Sequence, residues 1–322
     1  MKTKAITEGA LLCALTVLLS LLCYYVPLMI ILYIFIPVPM VVLAKRQDMR
    51  TTVVSSLAAS AILFFFIDMM SGLTFAFYLI IVGCGLGYCY KKQQSGFMKM
   101  ATAYMGIFIT LIAFLIVFQM LSGVSFIATL SKDFTTISEQ VLQTYQSTGI
   151  FSADQMTTLT NSVGQIVTEL KLMIPSAFLM APFFVGWAIC IGCDTILKKI
   201  KSQNVPLQPV SQWQAPRSLK NILLVLALFL LIVQFAGIEA VPQIYVVTLI
   251  EITTLIYGVM GLSFVFWMIN RKKDHEVMGW KILIVIVVLI IPMATTILAM
   301  IGILDGYTSL RAAIVMKDGE KK

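Results

Sequence analysis

Long apolar stretches recur along this 322-residue chain, each bounded by short polar or basic runs. Stretches close to the roughly 20 residues that a bilayer-crossing helix needs occur at 6–25, 33–44 with an approach from Pro27, 51–67, 73–90, 100–121, 172–197, 222–237, 241–269 and 282–303. The pattern predicts nine membrane helices. The second is the weakest, because Pro27, Pro37 and Pro39 interrupt it. Proline removes a backbone donor, and inside a membrane the freed carbonyls need protein or water beside them. That segment is therefore expected to be kinked and surrounded by other helices.

Between the fifth and sixth spans the periodicity changes. Residues 122–171 are rich in Ser, Thr and Gln, yet Ile137, Val141, Leu142 and Tyr145 share one helical face. After Gly149, Ser152 and Gln155 have the spacing of a capping box. Met156, Leu159, Val163, Ile166, Val167 and Leu170 then recur every three or four residues. This predicts an amphipathic helical hairpin lying over the outer mouth, its second arm leading into the sixth span near Pro175. It is either a lid over an outward-facing cavity or a cap at the membrane surface.

A third kind of segment, 201–217, is polar and carries Pro206, Pro209 and Pro216, the signature of a linker. It divides the chain into a six-helix core (1–200), the linker (201–217), a three-helix C-terminal block (218–304) and a polar tail (305–322).

Composition agrees with this division. The chain is 60% hydrophobic and 12% charged, whereas soluble domains are nearer half apolar and a quarter charged. The fold class is all-α, a polytopic membrane bundle in contact with lipid. Basic residues orient it. With the N-terminus in the cytoplasm, every inner loop is basic, and 17 of the 23 Lys and Arg fall inside. The remaining six are Lys132, Lys171, Arg311, Lys317, Lys321 and Lys322. Nine crossings then leave the C-terminus outside. The net charge of +8 is explained by topology, and a nucleic-acid partner is not needed. A bacterial plasma membrane is the expected location, with the first helix retained rather than cleaved as a signal.

Little catalytic chemistry is present. The six cysteines fall in or beside spans, and Cys190 and Cys193 have no His cluster near them, so they read as packing residues. The single histidine, His275, lies in a charged loop. No metal site, cofactor or enzyme activity is expected, and no P-loop for ATP hydrolysis occurs. Gly83, Gly85 and Gly87 end the fourth span and read as close helix packing rather than a dinucleotide loop.

Two features carry functional expectations. In the first helix, Gly9 with Cys13 and Ala10 with Ala14 repeat at four-residue spacing. Each pair shares a helix face, and such small faces let two membrane helices approach closely. The face contacts either a partner or the chain's own C-terminal block. Ionisable groups at membrane depth are the second feature. Glu251 lies within the eighth span, where it accepts a proton, binds a cation or pairs with a cationic ligand, or else stays protonated against a neighbouring helix. Asp68 ends the third span and could line an outer pocket for a small molecule with Tyr24, Tyr25 and Tyr78; interfacial anchoring is the other reading of those tyrosines. Glu8 reads as a first-turn carboxylate favoured by the helix dipole.

The opening of the chain, Thr7-Glu-Gly-Ala-Leu-Leu-Cys-Ala-Leu15, then Tyr25-Val-Pro27 and Ile36-Pro-Val-Pro-Met40 running to Ala44-Lys-Arg46, resembles the YybS-like family of uncharacterised Firmicute membrane proteins. That family is distantly similar to the substrate-binding S components of energy-coupling-factor transporters. The resemblance covers residues 1–200. It implies a six-helix S-component-like fold whose Ala-x-x-x-Ala face, here Ala10 and Ala14, docks on a membrane coupling subunit served by an ATPase. The chain departs from S components in its three added helices and its long outer segment. Small-molecule binding or transport assistance is the leading expectation. The alternatives are a scaffold or regulatory protein acting through 201–217, and a proton- or cation-coupled carrier using Glu251.

Overall fold

The computed structural model describes residues 3–235, 241–271, 277–290, 292–308, 310–311 and 314. They form helices and connections only, in two compact units. One comprises Met1–Lys171 and Ala177–Leu207; the other comprises Leu172–Ser176 and Gln208–Lys322.

The first unit contains α1 (Thr3–Tyr25), a 3-10 segment (Pro27–Phe35), α2 (Val38–Arg46), α3 (Met49–Phe66), α4 (Met69–Phe77), a π-helical segment (Tyr78–Cys84), α5 (Gly85–Lys91), α6 (Gly96–Ser122), α7 (Phe126–Thr148) and α8 (Ala153–Lys199). The proline-interrupted second stretch is broken into two pieces, as its sequence requires. Its second piece, α2, is the centre of the core: Met40, Val41, Leu43 and Ala44 are fully buried, as is Ile36 just before it. Gly83 and Gly87 make room for it. A Cβ on Gly87 would sit 2.7 Å from Ala44 Cβ, so the glycine run is a packing device.

The predicted hairpin forms, with one difference. Gly123 (φ 73°) and Gly149 (φ 62°) take the left-handed conformation at the ends of α6 and α7, a conformation open to glycine without penalty. The capping box is present: the Ser152 N–H donates to Gln155 Oε1 at 2.9 Å, and the Gln155 N–H donates back to Ser152 Oγ at 3.4 Å. However, α8 runs 47 residues without a break. At 1.5 Å per residue it is about 70 Å long, far more than the roughly 30 Å hydrocarbon layer. The outer arm therefore projects as a continuation of the sixth span instead of lying over the mouth. Lys171 Nζ donates to Thr135 Oγ1 at 2.8 Å across the two arms, and Phe126 packs edge-on against Phe114, Phe118 and Phe178 at the hairpin base.

The second unit contains a short 3-10 turn (Val210–Gln212), α9 (Arg217–Phe235), α10 (Gln243–Arg271), α11 (Val277–Ile290) and α12 (Pro292–Tyr307). The count of nine membrane helices is not confirmed. The described residues of the stretch expected as a ninth span fall into α11 and α12, on either side of Ile291, which lies outside the described residues. At 14 and 16 residues these are about 21 and 24 Å long. Among the described residues six helices are long and apolar enough to cross a membrane: α1, α3, the continuous run Met69–Lys91, α6, α8 and α10.

The direction of α12 follows from its contacts. A Cβ on Gly258 would meet the Thr295 carbonyl oxygen at 3.6 Å, and Cβ atoms on Gly261 and Gly302 would strike the Leu298 and Tyr257 carbonyl oxygens. Farther along, Arg311 Nη2 donates to Ser263 Oγ at 3.2 Å. From Gly258–Thr295 and Gly261–Leu298 to Ser263–Arg311 the numbers rise together, with Gly302 against Tyr257 at the crossing point, so α12 crosses α10 while heading in the same direction. It carries the chain back to the linker end, where Lys220 Nζ donates to the Gly306 carbonyl at 3.2 Å and Arg311 Nη1 to the Ser211 carbonyl at 3.2 Å. A ninth span would have put Asp305 and Arg311 at the opposite end. Arg311 thus lies at the same end of the second unit as the start of α9.

Candidate helix-contact face and polar sites

The small-residue stripe of α1 is split by its own helix. Gly9 and Cys13 are buried, and a Cβ on Gly9 would lie 2.9 Å from Ser55 Oγ and 3.3 Å from Thr51 Cγ2. That half of the stripe is the seat of α3. Ala10 and Ala14, one residue round the helix, are exposed. Their neighbours Leu11, Leu15 and Leu18 are exposed as well. The face therefore presents two methyl groups in a Leu-rich surroundings, the shape that admits a second backbone.

Asp68 is the N-cap of α4. Its Oδ1 accepts the Ser71 N–H at 2.9 Å, and its Oδ2 accepts the Tyr24 hydroxyl at 2.8 Å. Tyr25 lies edge-on to Tyr24 at 4.9 Å and donates to the Phe66 carbonyl. Burial pushes the Asp68 carboxyl up, but the Ser71 and Tyr24 donors outweigh it and hold the group below its ordinary value. The carboxylate ties α1 to the α3–α4 turn. Tyr78 does not join this group. It is fully buried, stacked on Tyr33 at 4.4 Å, and donates to the Tyr33 carbonyl at 3.1 Å. Its position ten residues along from Asp68 carries it into the core, so the expected four-residue pocket reduces to Asp68, Tyr24 and Tyr25.

Glu251 lies within α10, half-buried, and among the described residues no hydrogen bond reaches it. Glu8 differs from the first-turn reading: α1 starts at Thr3, and the Glu8 carboxylate accepts from Gln47 Nε2 at 2.7 Å. His275, Glu239 and most of the 305–322 tail lie outside the described residues.

The most elaborate polar cluster is one that sequence reading passed over. Lys99 is fully buried, with its Nζ 4.2 Å from the centre of the Tyr90 ring. It donates to Asn204 Oδ1 at 2.6 Å and to the Val205 carbonyl. Asp194 accepts from the Tyr90 hydroxyl at 2.9 Å, from Asn204 Nδ2 and from the Leu207 N–H at 2.8 Å. Buried Lys99 and half-buried Asp194 thus share Tyr90 and Asn204, and together they fasten residues 204–207 to α6 and α8. Asp194 in an apolar helix is the one signal in the sequence that could have found this site. The second unit has its own polar clasp: Asp305 and Arg311 pair at 2.8 Å with side chains 6% and 16% exposed. Arg311 also lies over Trp267 at 5.5 Å. Among the described residues no group of three His, Cys, Asp or Glu could hold a metal ion.

Residues 14–306 match the family described as predicted membrane protein (DUF2232). The chain is 23% identical over 317 residues to the protein titled "Uncharacterized protein YybS" of Bacillus subtilis (strain 168), covering 94% of this chain and 96% of that one. No solved structure matches.

Proposed function

The chain belongs to the DUF2232 family of predicted membrane proteins, and on that premise we propose that it is a docking subunit that binds a small molecule or assists its transport, in the manner of S components. The observation that carries this reading is the division of the α1 stripe. Gly9 and Cys13 are consumed by packing inside the chain, while Ala10 and Ala14 remain exposed on the same helix. The excess of basic residues on the N-terminal side supports a cytoplasmic N-terminus in a bacterial plasma membrane. Ala10 and Ala14 then lie near the cytoplasmic end of α1, within reach of a coupling subunit.

Affinity purification from native membranes in mild detergent tests the proposal. A membrane coupling subunit and its ATPase are expected with the native chain, and are expected to be lost from the Ala10→Leu/Ala14→Leu variant while its thermal unfolding stays unchanged. Recovery of neither partner with the native chain rejects the reading. Gly9→Leu serves as the contrast, because it overfills the α3 contact and costs about 1–3 kcal/mol of fold stability.

A coupled carrier is the second reading, favoured by the unpartnered half-buried carboxylate of Glu251. It requires a Glu251→Gln strain to differ from the native strain as external pH is varied. Scaffolding through 201–217 draws less support, since Asn204 and Leu207 are held by Asp194, and Ser211 by Arg311.

A further inference from the structure

The projecting hairpin carries an apolar groove that its own arms leave open. Phe134, Ile137 and Val141 on α7 face Val163, Ile166 and Leu170 on α8 around a space of about 230 Å³. The spacing is three then four on both arms, the pattern of a helix that buries one stripe in a bundle. Yet no residue of α7 is buried, and Ile137 and Ile166 are 57% and 54% exposed. The surrounding Ser, Thr and Gln residues suit water, where a continuous apolar face of this size is uncommon unless it is covered.

We infer that a second copy of this chain covers it, the two hairpins closing into a four-helix bundle outside the membrane. Area supports this occupant. The 23 residues of α7 span about 35 Å, and two helices side by side are about 20 Å wide. Each copy therefore offers on the order of 700 Å², close to the 800 Å² per partner of a standard interface. Geometry supports it too. Two copies in one bilayer stand at the same height and point the same way. A two-fold axis along the membrane normal then brings groove to groove and closes the assembly.

Cross-linking of the full-length chain in native membranes tests the inference. With a short bis-maleimide, Val141→Cys should give a covalent species of twice the chain's mass, well above the native chain and above Gln143→Cys on the opposite face of α7. In lipid nanodiscs, Val141→Glu/Ile166→Glu should convert two-chain particles to one-chain particles with the thermal unfolding of the membrane-embedded helices unchanged. Equal cross-linking of both faces, single-chain particles of the native protein, or adducts only with a different protein would overturn it. So would saturable uptake of a lipophilic fluorophore by native protein that is lost in Val141→Glu/Ile166→Glu without any change in particle mass, which would make the groove a small-ligand site.

Discussion

The Tyr90 hydroxyl donates to Asp194 at 2.9 Å, across a separation of 104 residues. Through that bond the end of α5 is joined to α8, and Asn204 extends the junction to buried Lys99. Removing the Asp194 carboxylate leaves the Tyr90 hydroxyl, the Asn204 amide and the Leu207 N–H without their acceptor, and a buried donor left unsatisfied costs about 1–3 kcal/mol. Asp194→Ala should therefore destabilise the first unit by about 1–3 kcal/mol and release residues 204–207 to protease. Asp194→Asn keeps acceptor capacity for Tyr90 and should cost less. Limited proteolysis and thermal unfolding in detergent measure both. An Asp194→Ala protein with native stability would refute the account.

The α10–α12 crossing depends on the absence of two side chains. Gly261→Leu or Gly302→Leu would drive a Cβ into a backbone carbonyl, which cannot move as a flexible side chain could. Either change should loosen the second unit while α1–α6 retain native hydrogen-exchange protection. Uniform loss of protection across the chain, or no loss, would contradict the separate packing of the two units.

Because α12 returns to the start of α9, Thr308→Cys and Gln214→Cys should react with a membrane-impermeant maleimide from the same side. Labelling from opposite sides would restore a ninth span and remove the parallel α10–α12 arrangement.

Asp68 gives a pH dependence of definite sign. Its carboxyl is held below the ordinary value by Ser71 and Tyr24. The stability it contributes is present above the unfolded-state pKa of about 3.9 and is lost as pH falls through the lower folded-state value. Thermal midpoints measured from neutral pH downward should fall in acid for the native chain and fall less for Asp68→Asn. Asp68→Ala should also lose the cap of α4, at about 0.5–2 kcal/mol. Parallel acid profiles for native and Asp68→Asn proteins would count against the Tyr24–Asp68 contact.

Several features were legible in the residues because they depend on near neighbours. The capping box at Ser152 and Gln155, the breaks at Pro27 and Pro37, and the apolar stripes of the hairpin all arise within a few positions of one another. Asp194 and Lys99 were not legible as members of one cluster around Asn204, since nothing local links residues 95 apart. Tyr78 was misplaced for the same kind of reason. Its sequence suits an interface anchor equally well, and only the π-helical segment around it sets it against Tyr33 in the core.

From sequence alone, the hydrophobic pattern determined a helical membrane protein, because lipid demands long apolar runs whose backbone bonds are satisfied within each helix, and the capping box that opens α8. The tertiary structure decided which way α12 runs, that the arm of α8 projects, and which half of the α1 stripe stays exposed. Each of those is a choice between faces or directions of a helix already formed. It is settled by close contacts, such as Gly9 against Ser55 and Gly302 against Tyr257, that a periodic pattern permits without specifying.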